Sequence, residues 1–117
     1  MERIKQNEGA SYTPAGHDAS VTSRSIYKDM VDVHVTTFPP ASGMEEETHE
    51  NKGHVFYVLQ GRMEVLQQGK TVDILGANDA VVIHAGEAHE IRNKSAVSYT
   101  HLKTGSWSGR SAMWAIS

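Results

Sequence analysis

His54-Val55-Phe56-Tyr57-Val58-Leu59-Gln60-Gly61-Arg62-Met63-Glu64-Val65-Leu66 decides the fold. Val55 to Gln60 is rich in β-branched and aromatic side chains and reads as a buried strand. Gly61-Arg62 reads as a turn, and Met63 to Leu66 as the returning strand. The pattern repeats downstream. Gly69-Lys70 turns into a strand over 71–75, and Gly76-Ala77-Asn78-Asp79 leads to another over 80–83. Ala85-Gly86-Glu87 precedes a short strand over 88–92, and a further strand is expected over 96–103. Upstream, Val31-Asp32-Val33-His34-Val35-Thr36 puts the valines on one face and Asp32, His34 and Thr36 on the other. Phe38-Pro39-Pro40 is expected to break that strand. Turn signals recur about every 6–12 residues with no sustained helical period, which reads as an all-β sandwich or barrel.

The residues before Val31 are polar. Positions 1–25 read as an arm with one short strand, and 111–116 as a hydrophobic terminal strand containing Trp114. At 117 residues the chain is expected to form one domain. It has no cysteine, which removes disulfides, thiolate metal sites and cysteine nucleophiles. The net charge of -3 argues against a nucleic-acid surface, which normally carries a basic excess. No apolar run approaches the ~18–20 residues of a membrane helix, and the polar start lacks a signal-peptide core. The expectation is a cytoplasmic protein with no membrane and no nucleic-acid partner.

Seven histidines stand out against this background. Four form two pairs with equal gaps, His49 with His54 and His84 with His89. Hairpins can bring the pairs together, because neighbouring strands lie only about 4.8 Å apart. Polar side chains facing into a narrow barrel are costly unless paired or coordinated. Converging imidazoles therefore point to a divalent metal held by nitrogen and carboxylate oxygen.

The chain resembles a small single-domain cupin over residues 31–103. His54 to Gly61 is similar to the end of the first cupin motif, a ligand and a glycine with six residues between. His84-Ala85-Gly86-Glu87-Ala88-His89-Glu90-Ile91-Arg92-Asn93 is similar to the second, Pro-x-Gly-x2-His-x3-Asn, with Gly86, His89 and Asn93 in place. The resemblance implies a cupin-type double-stranded β-helix, a jelly-roll barrel. There are departures. His54 stands where the family usually has glutamate, His84 where it has proline, and Asn78 where it has glycine. Counting back with a four-residue gap gives Glu47-Thr48-His49, so the implied metal ligands are Glu47, His49, His54 and His89. A three-residue gap would use Glu50 instead and discard His49. The first register uses His49, and alternation keeps Glu47 on the same face as His49.

The implied cofactor is a divalent transition metal; three imidazoles and one carboxylate suit zinc, nickel, manganese and iron alike. The implied activity is that of a metal-dependent enzyme on a small molecule, by isomerase, lyase or dioxygenase chemistry. A ligand-binding or sensing barrel and a metal-stapled structural barrel are the other readings. His34, Tyr57, Arg92 and His101 are the candidate substrate contacts, and their polarity favours an oxygen-rich ligand such as a sugar or carboxylate. Phe56 and Met63 read as core, and His17 as an exposed residue of the arm. Small cupins commonly pair, so a homodimer is expected.

Overall fold

The computed structural model describes residues 1, 3–4, 10–28 and 31–106. Among them the elements are all strands: β1 (Ser11–Tyr12), β2 (Thr22–Lys28), β3 (Val31–Phe38), β4 (His54–Gln60), β5 (Met63–Gln67), β6 (Lys70–Leu75), β7 (Ala80–Ile83), β8 (Glu90–Arg92) and β9 (Tyr99–Ser106). They form a six-stranded sheet, β1-β2-β3-β9-β4-β7, and a three-stranded sheet, β6-β5-β8. All pairings are antiparallel. Phe38, Phe56, Val58 and Tyr99 of the larger sheet meet Met63, Val65 and Ile91 of the smaller in one buried cluster. No helix among the described residues is long and apolar enough to cross a membrane.

Period-two alternation explains β4. His54, Phe56 and Val58 are buried, while Val55, Tyr57 and Leu59 are only partly covered. Gly61 ends the strand with φ of +83°. A Cβ there would lie 2.6 Å from Cβ of Tyr99 and 2.8 Å from the Ser98 carbonyl, so both backbone angle and space demand glycine. Asn78, where the family has glycine, also takes a positive φ of 72°. Asparagine tolerates that region better than most residues, so the turn survives the exchange.

Three expectations shift. The arm contributes a full strand: β2 pairs with β3 from Thr22–Thr37 to Lys28–Asp32. Its polar sequence hides this, because Ser23 is buried by bonding its hydroxyl to that of Thr36 at 2.9 Å rather than by being apolar. Phe38 does not break β3 but completes it, fully buried and stacked on Tyr99 with ring centres 4.9 Å apart. The last described strand starts at Tyr99 rather than 96, because Asn93 organises the loop before it. The Asn93 amide donates to the carbonyls of Phe38, Pro39 and Val97, and its oxygen accepts from Ser95. The strand expected over 111–116, with Trp114, lies outside the described residues.

Candidate metal centre and adjoining cavity

Backbone pairing sets the centre. The Glu47 N–H donates to the His89 carbonyl at 2.9 Å, and the His89 N–H donates back to the Glu47 carbonyl at 3.0 Å. In such a mutual antiparallel pair both side chains leave on the same face. Glu47 Oε1 therefore sits 3.3 Å from His89 Nε2 and 3.1 Å from His49 Nε2. One ligand atom from each of Glu47, His49 and His89 lies within 4.8 Å of the others. His54, the first residue of β4, stands outside that mutual distance but beside it: its ring centre is 4.6 Å from that of His49 and 6.2 Å from that of His89. Glu50 is exposed.

Hydrogen-bond accounting marks these imidazoles as incomplete. His89 Nδ1 lies 3.1 Å from the Glu87 carbonyl, which can only accept, so Nδ1 carries the proton. In the neutral ring Nε2 is then a bare lone pair, and it faces a carboxylate oxygen without a hydrogen bond. A proton on Nε2 or a cation between the two atoms would answer this contact, and the group could hold such an ion. Both nitrogens of His54 are also buried with no partner. Each such orphan costs about 1–3 kcal/mol, so a fold that keeps them is suited to an ion they can ligate. The donor set of imidazole nitrogen and carboxylate oxygen fits a divalent first-row metal. The carbonyl contact on His89 Nδ1 is the kind of support that orients a ligating imidazole.

With His89 Nε2 protonated, the same contact instead holds the Glu47 carboxyl in its charged form. Burial pushes the Glu47 carboxyl up, but the imidazoles of His89 and His49 and the charge of Lys103 outweigh it and hold it at about 2. Burial, with the charges of Lys103, His49 and His89, brings His54 down to about 2. At neutral pH the centre is one carboxylate beside an unprotonated, buried His54.

Glu47 also lines a cavity of about 60 Å³, together with His34, Phe56, His101, Lys103 and Tyr12 of the arm. His34 and Thr36 enter it from β3, on the face opposite the valines. His34 Nδ1 is 2.8 Å from the Tyr12 hydroxyl. His101 is buried, with Nδ1 3.0 Å from the Tyr99 hydroxyl and its ring packed on Phe56. Burial, with smaller effects of Lys103 and His17, lowers His101 to about 3.

Tyr57 and Arg92 do not line this cavity. Tyr57 alternates out of the barrel and donates its hydroxyl to Asn78 at 3.0 Å. The Arg92 Nε donates to Glu90 at 2.7 Å. His17 is not exposed but half-buried in the cavity wall, 5.8 Å from the Phe38 ring. It is placed there by the arm, whose Gly16 carbonyl accepts from the Glu45 N–H. Lys103 is the cavity residue that sequence reasoning passed over. Its signal was the alternation Tyr99, His101, Lys103 along one face of β9.

A family model described as "Cupin domain" matches residues 34–102. No curated protein matches the chain. Among solved structures, a predicted oxalate decarboxylase from Thermotoga maritima superposes with a TM-score of 0.79 at 19% identity, over 91% of this chain and 99% of that one. The polyketide cyclase RemF from Streptomyces resistomycificus gives 0.78 at 22% identity, over 90% and 78%. A sugar phosphate isomerase of the cupin superfamily from Silicibacter pomeroyi gives 0.74 at 12% identity, over 90% and 75%. At these identities the likeness is one of fold, the double-stranded β-helix.

Proposed function

The chain belongs to the cupin domain family, and on that footing we propose that it is a metal-dependent cupin acting on a small, oxygen-rich molecule. Glu47, His49, His54 and His89 are the residues that would hold the ion. The observation that carries this reading is the set of buried, unpartnered nitrogens of His54 and His89 beside the Glu47 carboxylate. A divalent ion held there supplies Lewis acidity, able to polarise a carbonyl or hydroxyl oxygen of a bound molecule. Around it the chain's own residues bind and orient. His34 and His101 offer polar ring atoms to the cavity, while Phe56 gives it an apolar wall. Tyr99 holds the His101 ring through Nδ1. Solved structures of this fold include proteins described as a decarboxylase, a cyclase and an isomerase, so the fold is compatible with carbonyl and hydroxyl chemistry.

The test is elemental analysis of protein purified without added metal, before and after incubation with zinc, nickel, manganese and iron(II). Roughly one ion per chain is expected, lost in His89→Ala. Full occupancy in His89→Ala, or no uptake by the wild type, would overturn the assignment.

The reading includes a homodimer. Val72 and Ile74 of β6 and Val82 of β7 are exposed, which gives a second copy apolar surface to cover. Light scattering at micromolar concentration checks it; a monomer there counts against it.

A further inference from the structure

Lys103 is half-buried in the cavity wall, its ammonium 5.9 Å above the centre of the Phe56 ring. Among the described residues it has no hydrogen-bond or ion-pair partner. Glu47 and Asp32 both act on it electrostatically, but neither reaches ion-pair distance. An ammonium held partly out of water with no carboxylate at ion-pair distance is costly, and a ligand anion that reaches it relieves the cost. Lysine could escape by snorkelling to solvent, as its flexible stem usually does. Here β9 aims it inward: Lys103 pairs with His34 of β3 on one side and Phe56 of β4 on the other, in the middle of the large sheet.

The chemistry of the wall narrows the ligand. Lys103 gives a positive charge, Thr36 and Ser23 give hydroxyls, and Phe56 and Ile91 give apolar surface. The Ser23 and Thr36 hydroxyls already bond each other, which leaves the ammonium as the dominant unsatisfied group. A neutral polyol would not answer that charge. A tetrahedral dianion would waste the apolar wall. A short carboxylic acid answers both, with its anionic end on the ammonium and its carbon end on the ring.

We infer that Lys103 is the anion anchor of the cavity and that the ligand is a small carboxylate. This rests on the proposed function for the identity of the site but not for its charge. Burial lowers the Lys103 ammonium from its ordinary range, with Glu47 and Asp32 opposing and Lys52 adding to the shift. A bound carboxylate would relieve that burden.

The experiment is an NMR titration of the full chain, with and without added zinc, using acetate and pyruvate as probes. Acetamide and glycerol serve as neutral comparators, and inorganic phosphate as the other anion. Carboxylates should shift the amides of β9 around Lys103 and of β4 around Phe56, and Lys103→Met should weaken their binding about tenfold or more. Lys103→Arg should keep most of it. Because Lys103→Met removes an unpaired charge, it should also raise Tm without ligand, and only the wild type should gain Tm from added pyruvate. A lysine that merely packs would lower Tm on replacement. Unchanged carboxylate affinity in Lys103→Met would overturn the inference. So would neutral probes or phosphate binding more tightly than the carboxylates, or no carboxylate binding in either state. If the wild type takes up no zinc but still loses carboxylate binding in Lys103→Met, the metal reading fails and the anion anchor stands.

Discussion

Two pairs of histidines share the barrel interior and differ in one respect. His101 and His34 each have a tyrosine hydroxyl on Nδ1, Tyr99 and Tyr12 respectively. His54 and His89 present buried nitrogens with no hydrogen-bond partner. Burial alone does not separate the two groups, since His101 and His54 are equally hidden. Satisfaction does. Where the fold supplies a hydroxyl, Nδ1 is partnered and no ring nitrogen is left both buried and unpartnered. Where it supplies another imidazole and a carboxylate, a buried ring nitrogen is left without a partner, in a group that could hold a cation.

The largest effect that would break this contrast is metal-dependent stability. An ion that binds only the folded chain adds about 4 kcal/mol when present at a thousand times its Kd. That gain should vanish in His54→Leu and survive in His101→Leu, read as Tm with and without zinc. Equal gains in both variants would mean that the His54 nitrogens are not ligands.

Acid should act through both kinds of histidine, since burial lowers His54 to about 2 and His101 to about 3. His101 falls to about 3 in the folded chain, through burial first and then the charges of Lys103 and His17, against 6.5 when unfolded. The unfolded state therefore binds the proton first. The stability from this group is fully present above about pH 6.5 and is lost as pH falls toward 3, at up to about 1.4 kcal/mol per pH unit. Denaturant melts of metal-free protein from pH 7 to 4 should give a flatter curve for His101→Leu than for the wild type. Parallel curves would place the acid-sensitive group elsewhere.

At neutral pH without metal the same two variants should differ in sign. His54→Leu removes two buried, unsatisfied nitrogens and should stabilise the chain by about 1–2 kcal/mol. His101→Leu strands the buried Tyr99 hydroxyl and should destabilise it by about 1–3 kcal/mol. Destabilisation of similar size in both would show that His54 has a partner after all, such as an ordered water.

How far the sequence led depends on which force placed each residue. β4, β5 and β7 were legible because their burial is hydrophobic and alternates. β2 was not, because its inward Ser23 is held by a hydroxyl pair with Thr36, and period-two apolarity never appears. The clustering of Glu47, His49 and His89 followed motif spacing, but the backbone pair between Glu47 and His89 that fixes their common face is a long-range contact no local pattern carries. His34 and His101 reach the cavity, whereas Tyr57 and Arg92 do not. The first two sit on inward faces of β3 and β9. Tyr57 is one residue out of phase with Phe56, and Arg92 is engaged by Glu90.

The smallest effect concerns the arm. Tyr12 is 43% exposed, yet its hydroxyl meets His34 Nδ1 at 2.8 Å with the rings edge to face. β1 pairs with β2 through only two residue pairs, so this contact is much of what ties it to the cavity. An exposed neutral hydrogen bond competes with water, so Tyr12→Phe should cost no more than about 0.5 kcal/mol. Its consequence should be local. Freed from the hydroxyl, His34 loses the group that orients its ring, and burial with the charge of Lys103 already holds it below the ordinary histidine range. Amide hydrogen exchange should quicken at Ser11 and Tyr12 and stay unchanged in β4 and β9. Faster exchange at His54 or His101 as well would mean that the arm holds the metal centre and the cavity together, and that the satisfied and unsatisfied histidines are one unit rather than two.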